Sequence, residues 1–406
     1  MTRKFIVTTT MLLGVGIWAL WPTIVHAGEK PAARTPVTEK QALAFATALV
    51  TAIDSGQGAV ELVDWGTLMV RTSQGLDVAP KVLADFQKSK EEMAVAPTGF
   101  FGLIRGELEK GGAYKYMRVF QEPQGTRARF RFLPAGGGVD FHDFLLREEK
   151  GRIRAVDFKF ASTGEEYSQS LRRTFLPLAV KANPALRDRL AAKDSAFLKH
   201  LTSIEAITKS LQEGHPERVA PIASQLPADL RNEKFCLLLE LKSSQLVSDD
   251  KAVQEVIDRY HRLYPNDVAI ELFSMDYFVK KDSIPKALVC AERFQKGVGQ
   301  EAFMQSLIAD LQWQDGQLKE ALASINKAIR IEPEYVDAYW TLVTIADSEK
   351  DFAAVNKTLQ KLVKEFGAEL DPETMRTEPF YAEFVKSPEF AEFAKFLDAQ
   401  GKKAEK

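Results

Sequence analysis

The sequence predicts an α+β N-terminal domain, built from helices and a four-stranded antiparallel meander, followed by an all-α helical solenoid. Three observations support this fold class. Apolar residues change from helical spacing to alternation with period two at Ala113, and they return to helical spacing after Ser168. From about residue 200 the sequence resembles itself at an interval of 34 residues. At 406 residues, the chain is long enough for a compact domain and a repeat array.

The first thirty residues predict export. Arg3 and Lys4 give a positive start, residues 5–25 are largely apolar, and Val25 and Ala27 supply the small residues of a cleavage site. We therefore expect a signal peptide over residues 1–27 and a periplasmic or secreted mature protein. The alternative is an uncleaved anchor, since about 20 apolar residues can span a bilayer. No second long apolar stretch follows, so we expect no stable membrane insertion after cleavage.

The N-terminal domain, residues 37–168, is predicted to begin with helices. Thr38 can start the first helix, because Gln41 three residues later completes a capping box, and Gly56 can end it. The further predicted helices span Val60–Val70 and Pro80–Met93.

Four strands should follow, joined by turns so short that neighbouring strands must be antiparallel. They span Tyr114–Phe120, Thr126–Leu133, Val139–Arg147 and Ile153–Phe160. In the second strand Arg127, Arg129 and Arg131 alternate with apolar residues, which predicts that the arginines face water.

This order of helices and strands resembles the NTF2-like, cone-shaped fold. The resemblance rests on element order and on no motif, and it implies a curved sheet folded over the helices. Some enzymes of that family use a His/Asp pair inside the cone, and here Asp64, His142 and Asp157 are the residues to consider. The strand pattern leaves open which face His142 and Asp157 occupy. We expect His142 to be a hydrogen-bonded residue of the sheet rather than a catalytic base.

The second half of the chain repeats. One unit, Ala302–Tyr335, carries Gly316, Leu318, Ala321, Ile325, Ala328 and Pro333, and it resembles the tetratricopeptide repeat. In steps of 34 residues, the slot of Gly316 is occupied by Gly214, Ser248, Asp282 and Lys350. The match is clearest over Val268–Gly367, and the first helices of the units match less well than the second helices. The resemblance implies paired helices stacked into a ribbon over residues 200–370.

Two flanking segments complete the predicted organisation. Residues 169–199 are expected to form a helical linker. Residues 371–400 are expected to cap the last repeat, because they hold five closely spaced phenylalanines in otherwise polar sequence. The chain also has two cysteines, Cys236 and Cys290, in apolar helical sequence. They fall on helices that are not immediate neighbours in such a stack, so we expect two buried thiols and no disulfide.

Composition and motifs argue against several classes of function. A formal net charge of −2 gives no concentrated basic surface for nucleic acid. Zinc-ligand spacing, the phosphate-binding GxxxxGK[ST] motif and the GxSxG nucleophile motif are all missing from the sequence. We therefore predict no enzymatic activity, no cofactor and no metal.

In the tetratricopeptide family the first helices of the units line a concave, ligand-facing surface. Carried to this sequence, the resemblance implies partner-binding residues at Lys242, Asp276, Lys280, Asp310, Trp313, Gln314, Trp340, Thr344 and Asp347, with Ser306 and Ser348 in neighbouring slots. Trp313 and Trp340 are the best candidate anchors, because tryptophan is enriched at binding hot spots. The alternative for each tryptophan is ordinary packing between helices.

The sequence thus favours an exported scaffold or adaptor that binds a protein or peptide partner through this surface. The alternative is a small-ligand site, possibly enzymatic, in an NTF2-like domain supported by the repeats. A ligand pocket inside the cone would favour the alternative, whereas a filled cone would favour the scaffold. A third option is an envelope housekeeping role without a stable ligand.

Overall fold

The computed structural model describes residues 36–149 and 151–404, so the predicted signal peptide lies outside the described residues. The chain divides into two compact units, with the boundary between Phe273 and Ser274. We call the described residues through Phe273 the first unit and those from Ser274 onward the second unit. Over the described ranges, we find no helix with the length and apolar character that a membrane span requires.

The predicted order, an α+β region followed by a long run of helices, is confirmed. The α+β region comprises α1 (Glu39–Ser55), α2 (Trp65–Thr72), α3 (Pro80–Val95), α4 (Phe100–Leu108), β1 (Ala113–Glu122), β2 (Gly125–Leu133), β3 (Asp140–Glu149), β4 (Arg152–Phe160) and β5 (Glu165–Glu166). The rest of the first unit holds α5 (Tyr167–Ala182), α6 (Ala192–Lys199), α7 (Leu201–Gln212), α8 (Val219–Ala223), α9 (Ala228–Arg231), α10 (Lys234–Leu246) and α11 (Asp250–Leu263). Helix α12 (Ala269–Lys280) crosses the boundary. The second unit continues with α13 (Ile284–Val298), α14 (Ala302–Gln314), α15 (Leu318–Ile331), α16 (Val336–Ser348), α17 (Phe352–Phe366), α18 (Pro372–Thr377) and α19 (Pro388–Ala404).

The start of the fold follows its capping signals. The capping box of Thr38 and Gln41 is present, and Gly56 ends α1 in the left-handed conformation with φ 70°. The prediction of one helix over Val60–Val70 is wrong, because the chain breaks there into a 3₁₀ turn and α2. Asp64 causes this break, since its carboxylate accepts the backbone N–H of Thr67 at 2.9 Å and so caps α2.

The sheet is an antiparallel meander in the order β1-β2-β3-β4-β5. The four predicted strands are confirmed, and the two-residue strand β5 was not predicted. The register shifts between Tyr116 and Arg118 in β1 and between Leu145 and Leu146 in β3. Such irregularities increase local twist and bend a sheet.

One face of the sheet packs on the helices through aromatic rings. Phe144 stacks on Phe158 at 5.1 Å and meets Phe130 edge-on at 5.3 Å. The ring of Phe45 in α1 lies 5.9 Å from the ring of Phe144, so α1 packs against the same core. Each buried phenylalanine contributes about 2–3 kcal/mol of hydrophobic stabilisation.

The prediction of a water-facing row of arginines is wrong. Arg127, Arg129 and Arg131 are 0%, 7% and 3% exposed. Arg127 is paired with Glu122 and Glu166, and Arg129 binds Asp143 through two nitrogens at 2.6 Å each. Charged residues can be buried when they are paired, so polar alternation does not by itself identify a solvated face.

The helices of the second half keep the predicted interval. Helices α11, α13, α15 and α17 begin at residues 250, 284, 318 and 352, each 34 residues after the previous one. The residue two positions before each of these starts has positive φ: Ser248, Asp282, Gly316 and Lys350. Ser248, Asp282 and Lys350 are the non-glycine residues found with positive φ in the described chain. The same left-handed turn therefore recurs even where glycine is not available to form it.

Within the second unit, α14 packs against α13, α15 and α16. Ser306 of α14 and Thr341 of α16 approach to 3.2 Å, and Trp313 Nε1 donates to Ser348 Oγ at 2.8 Å. These contacts are both 35 residues apart in sequence, so α14 and α16 run side by side in one direction.

The C-terminal phenylalanines belong to the core of the second unit. Phe384, Phe390 and Phe393 are at most 1% exposed and pack in one cluster with Val343 of α16 and Leu359 of α17. This packing is what the capping interpretation expects. Cys236 and Cys290 are both buried and neither forms a disulfide, as predicted.

Candidate functional site

The three residues considered for a cone-type catalytic site do not converge. His142 lies on the aromatic face of the sheet, whereas Asp157 precedes Phe158 on β4 and so points to the opposite face. Asp64 caps α2 and also binds the Thr67 hydroxyl at 2.6 Å. Burial acts to raise the pKa of Asp64, but these hydrogen bonds from Thr67 outweigh it and lower the pKa.

His142 is enclosed rather than presented to a substrate. It is 3% exposed, and the rings of Phe100, Tyr114, Phe132 and Phe160 all lie within 6 Å of its centroid. Its Nδ1 is 3.2 Å from the Tyr114 hydroxyl. The interior of the sheet around His142 is therefore filled by aromatic rings, as the scaffold hypothesis expects.

Asp157 is held by hydrogen bonds on both carboxylate oxygens. Arg71 Nε donates to Oδ2 at 2.7 Å and the Ser168 hydroxyl donates to the same oxygen at 2.6 Å. The backbone N–H groups of Phe158 and Ser168 both donate to Oδ1 at 3.0 Å. A carboxylate with this many donors stabilises the junction between β4, α2 and α5, and it is poorly placed to accept a proton from a substrate.

A polar cleft of about 400 Å³ lies on the outside of the α+β region. It is open to solvent, and its lining comprises Val60, Glu61, Val63, Asp64, Trp65, Gly66, Gln87, Glu91 and Arg154. Two of its polar side chains already bind each other, since Gln87 Nε2 donates to Glu91 at 2.7 Å. Among the described residues, no group of three or more His, Cys, Asp or Glu side chains is arranged to hold a metal ion.

The predicted partner-binding residues fall into three places. Lys242 is half-buried on α10 of the first unit. Asp276 and Lys280 form an ion pair of 2.6 Å along α12, in which the aspartate is 5% exposed and the lysine is exposed. The remaining residues lie on α14 and α16.

Trp313 forms the centre of the group on α14 and α16. Its ring is half-buried, and its indole N–H reaches Ser348, which is exposed. One turn before it, the half-buried Asp310 accepts a hydrogen bond of 2.7 Å from the exposed Gln314. Asp347 precedes Ser348 on α16. We call Asp310, Trp313, Gln314, Asp347 and Ser348 the Trp313 patch.

The two carboxylates of the Trp313 patch, Asp310 and Asp347, lie in surroundings that disfavour their ionised form. Burial raises the pKa of Asp310 to about 6. Burial and the nearby Glu383 raise the pKa of Asp347. Asp347 Oδ1 is buried, and no described residue donates a hydrogen bond to it. A cation beside either carboxylate would offset its desolvation, and a donor beside Asp347 would also supply the missing hydrogen bond.

The other predicted residues of α16 have structural partners. Trp340 packs against the C-terminal core cluster, which matches the packing alternative. The Thr344 hydroxyl donates to the Trp340 carbonyl at 3.1 Å, and Ser306 is 3% exposed. The sequence did not indicate the electrostatic influence of Glu383 on Asp347, because Glu383 lies in the C-terminal segment and follows from no repeat position.

Comparison with known proteins adds no identification: no protein-family profile matches the chain, and no curated protein matches it.

Proposed function

We propose that this protein is an exported scaffold or adaptor that binds a protein or peptide partner through the Trp313 patch. The observation that carries the proposal is a half-exposed tryptophan with Asp310 one helical turn before it and Asp347 next to its hydrogen-bond partner Ser348, both carboxylates having raised pKa values. Perturbed side chains of this kind cluster at functional sites. Tryptophan gives a large and rigid contact area, which suits it to anchor a partner.

The tetratricopeptide interpretation supports the same surface. The 34-residue interval of the helix starts and the recurring left-handed residue are the features expected of such an array. In that family α14 and α16 would be the first helices of two adjacent units, and the Trp313 patch would lie on their ligand-facing side. The contact between Trp313 and Ser348 places equivalent ends of the two helices together.

The partner segment that suits the patch carries lysine or arginine. Asp310 and Asp347 offer negative charge, and the tryptophan face attracts cations as well as apolar groups. The second unit is acidic as a whole, since residues 274–406 contain 23 Asp and Glu against 18 Lys and Arg. A cationic segment would therefore also be favoured on approach.

Synthetic peptides test this proposal. A lysine-rich peptide and an aspartate-rich peptide with the same apolar residues would be titrated into the mature chain, with fluorescence anisotropy as the readout. The lysine-rich peptide should bind better, and Trp313→Ala combined with Asp310→Lys should weaken it at least tenfold. Glu320→Lys, an equal charge change at an exposed position on α15, is the control and should change affinity less than twofold. Equal binding of the two peptides, or full affinity in the double variant, would contradict the proposal.

Export is the second part of the proposal and rests on the signal-peptide pattern of residues 1–27. N-terminal sequencing of the protein isolated from its host should start at Gly28. A mature chain that begins at Met1 and fractionates with membranes would support the anchor instead.

A further inference from the structure

A group of charged side chains is buried in the first unit where the sheet meets the helices that follow it. Glu165 of β5, Arg173 of α5 and Glu233 at the start of α10 are 2%, 4% and 5% exposed. Arg173 Nη2 donates to Glu165 at 3.1 Å, and Lys193 of α6 forms an ion pair with Glu233. We call Glu165, Arg173, Lys193 and Glu233 the ionic hub.

The ionic hub links segments that are far apart in sequence. Glu165 and Arg173 belong to the last strand of the sheet and the helix directly after it, whereas Glu233 lies at the start of α10. Lys234, next to Glu233, forms an ion pair with Asp267 and donates a hydrogen bond of 2.8 Å to the Gly164 carbonyl. These contacts join the same two regions. Separation of these regions would therefore expose the hub to water.

The hub is incompletely satisfied. Arg173 Nε and Nη1 and Glu233 Oε2 are buried without a hydrogen-bond partner among the described residues. Arg173 instead lies over the Phe235 ring at 5.3 Å. Unmet groups of this kind make the charged forms of the hub expensive to bury.

Titratable groups from several elements act on Glu233 or are influenced by it. Lys193 lies on α6, Arg173 on α5, and Lys234 and Cys236 on its own helix, while Tyr264 ends α11. Burial raises the pKa of Glu233 to about 7, although Lys193, Arg173 and Lys234 act to lower it. Burial also lowers the pKa of Lys193 and lowers that of Arg173 to about 10.

We propose that the ionic hub is a proton-operated latch, which holds β5 and α5 against the start of α10 when Glu233 is protonated and loosens when Glu233 ionises. The sign follows from linkage. In the closed latch Glu233 binds its proton with a pKa of about 7, and in the open, hydrated latch it returns to the ordinary value of 4.5. The opening equilibrium therefore rises by roughly 300-fold between pH values below 4.5 and above 7.

Lys193 and Arg173 affect the opening equilibrium in the opposite direction from Glu233, and they do so at higher pH. Their lowered pKa values mean that the closed latch releases these protons more easily than the open latch. Closing is then favoured again as the solution becomes alkaline. The latch should be weakest between the pKa of Glu233, about 7, and the pH at which the two bases lose their protons.

Cys236 reports the opening of the latch. It is 2% exposed and lies three residues after Glu233, so a thiol reagent can reach it when this end of α10 separates. The chain has two cysteines, so Cys290→Ala leaves Cys236 as the single thiol. The labelling rate at each pH would be divided by the rate for the denatured protein at the same pH, which removes the effect of thiolate fraction.

The protection of Cys236 should fall roughly 50- to 100-fold between pH 5 and pH 8. In Glu233→Gln it should be constant over this range. Glu240→Gln is the matched control, because it removes another buried carboxylate of α10, one that pairs with Arg231 and Arg259, and it should keep the full pH dependence.

Protection that does not change with pH in the parent chain would overturn the proposal, and so would an unchanged slope in Glu233→Gln. Should Glu233→Gln fail to fold, Lys193→Met provides the second test. Loss of that positive charge raises the pKa of Glu233 further, so the midpoint of the protection curve should move to higher pH. An unchanged midpoint would also count against the latch.

Discussion

The interior of the sheet and the Trp313 patch both place aromatic rings beside titratable side chains, yet they differ in access. His142 is surrounded by four aromatic rings and is 3% exposed. Trp313 and Asp310 are half-buried, and Gln314 and Ser348 beside them are exposed. The sequence offered His142 and Asp157 as residues to consider for a catalytic site, which it did not favour, and Trp313 as a candidate anchor for a partner. Their surroundings assign the first two to stability and leave the third open to a partner.

The largest expected effect is the difference in unfolding free energy between a substitution inside the sheet core and one in the Trp313 patch. Phe144→Ala should lower the free energy of unfolding by about 3–5 kcal/mol, because it opens a cavity between Phe45, Phe130 and Phe158. Trp313→Ala should cost only about 1 kcal/mol, since its ring is half-exposed. Urea denaturation measures both changes. Equal losses would remove the distinction between a core and a binding surface.

The next effect in size is the pH dependence of peptide affinity at the Trp313 patch. Because a cationic peptide pairs with ionised Asp310, its affinity should rise about tenfold from pH 5 to pH 7.5, as the group loses its proton near pH 6. Asp310→Asn should weaken binding at pH 7.5 and remove most of this dependence. Anisotropy titrations at four pH values are sufficient, and a variant that keeps the full pH dependence would exclude Asp310 as the responsible group.

Asp310 should also destabilise the fold when it is ionised. The pKa of Asp310 is above its ordinary value, so its favourable contribution to folding is present at low pH and is lost as pH rises through about 6. Asp310→Asn should therefore stabilise the fold at pH 7.5 by about 1–2 kcal/mol, since partial exposure screens part of the cost. No gain in stability at this pH would mean that the carboxylate is well solvated.

The smallest expected effect sharpens the account of the helical repeat. Gly316 and Lys350 occupy the same left-handed turn, with φ of 76° and 58°, and a side chain at Gly316 would meet no atom within 4 Å. Gly316→Ala should destabilise by about 1 kcal/mol through backbone strain alone, and Lys350→Gly should stabilise by a similar amount. Thermal denaturation should move in opposite directions for the two variants. Shifts of the same sign would show that the two turns are not equivalent.

The parts of the fold that sequence predicted are those with local causes. The capping box at Thr38 and the strand alternation depend on residues that are close in sequence. The 34-residue interval is regular along the chain. The interval even located Ser248, Asp282 and Lys350 in the slot of Gly316, and these are the non-glycine residues with positive φ in the described ranges. Local signals of this kind survive because tertiary packing agrees with them.

The parts that sequence did not predict depend on distant partners. Arg127 is buried because Glu122 and Glu166 neutralise it, and Glu166 is 39 residues away. The break at Asp64 reflects its cap on α2 and its backbone N–H bond of 2.8 Å to the Ala155 carbonyl on β4. The ionic hub brings together Glu165 and Glu233, which are 68 residues apart in sequence. Alternation and periodicity contain no information about such pairs.

Site-specific photocrosslinking can identify the surface that binds the partner. A photoreactive amino acid would replace Gln314 in the Trp313 patch or, in a second variant, Glu61 in the polar cleft, and each variant would be irradiated in the cells that make the protein. We expect a discrete protein adduct from position 314, its loss when Asp310→Lys is added, and no adduct from position 61. An adduct from position 61 with none from position 314 would exclude the Trp313 patch as the binding surface and place the function in the α+β region.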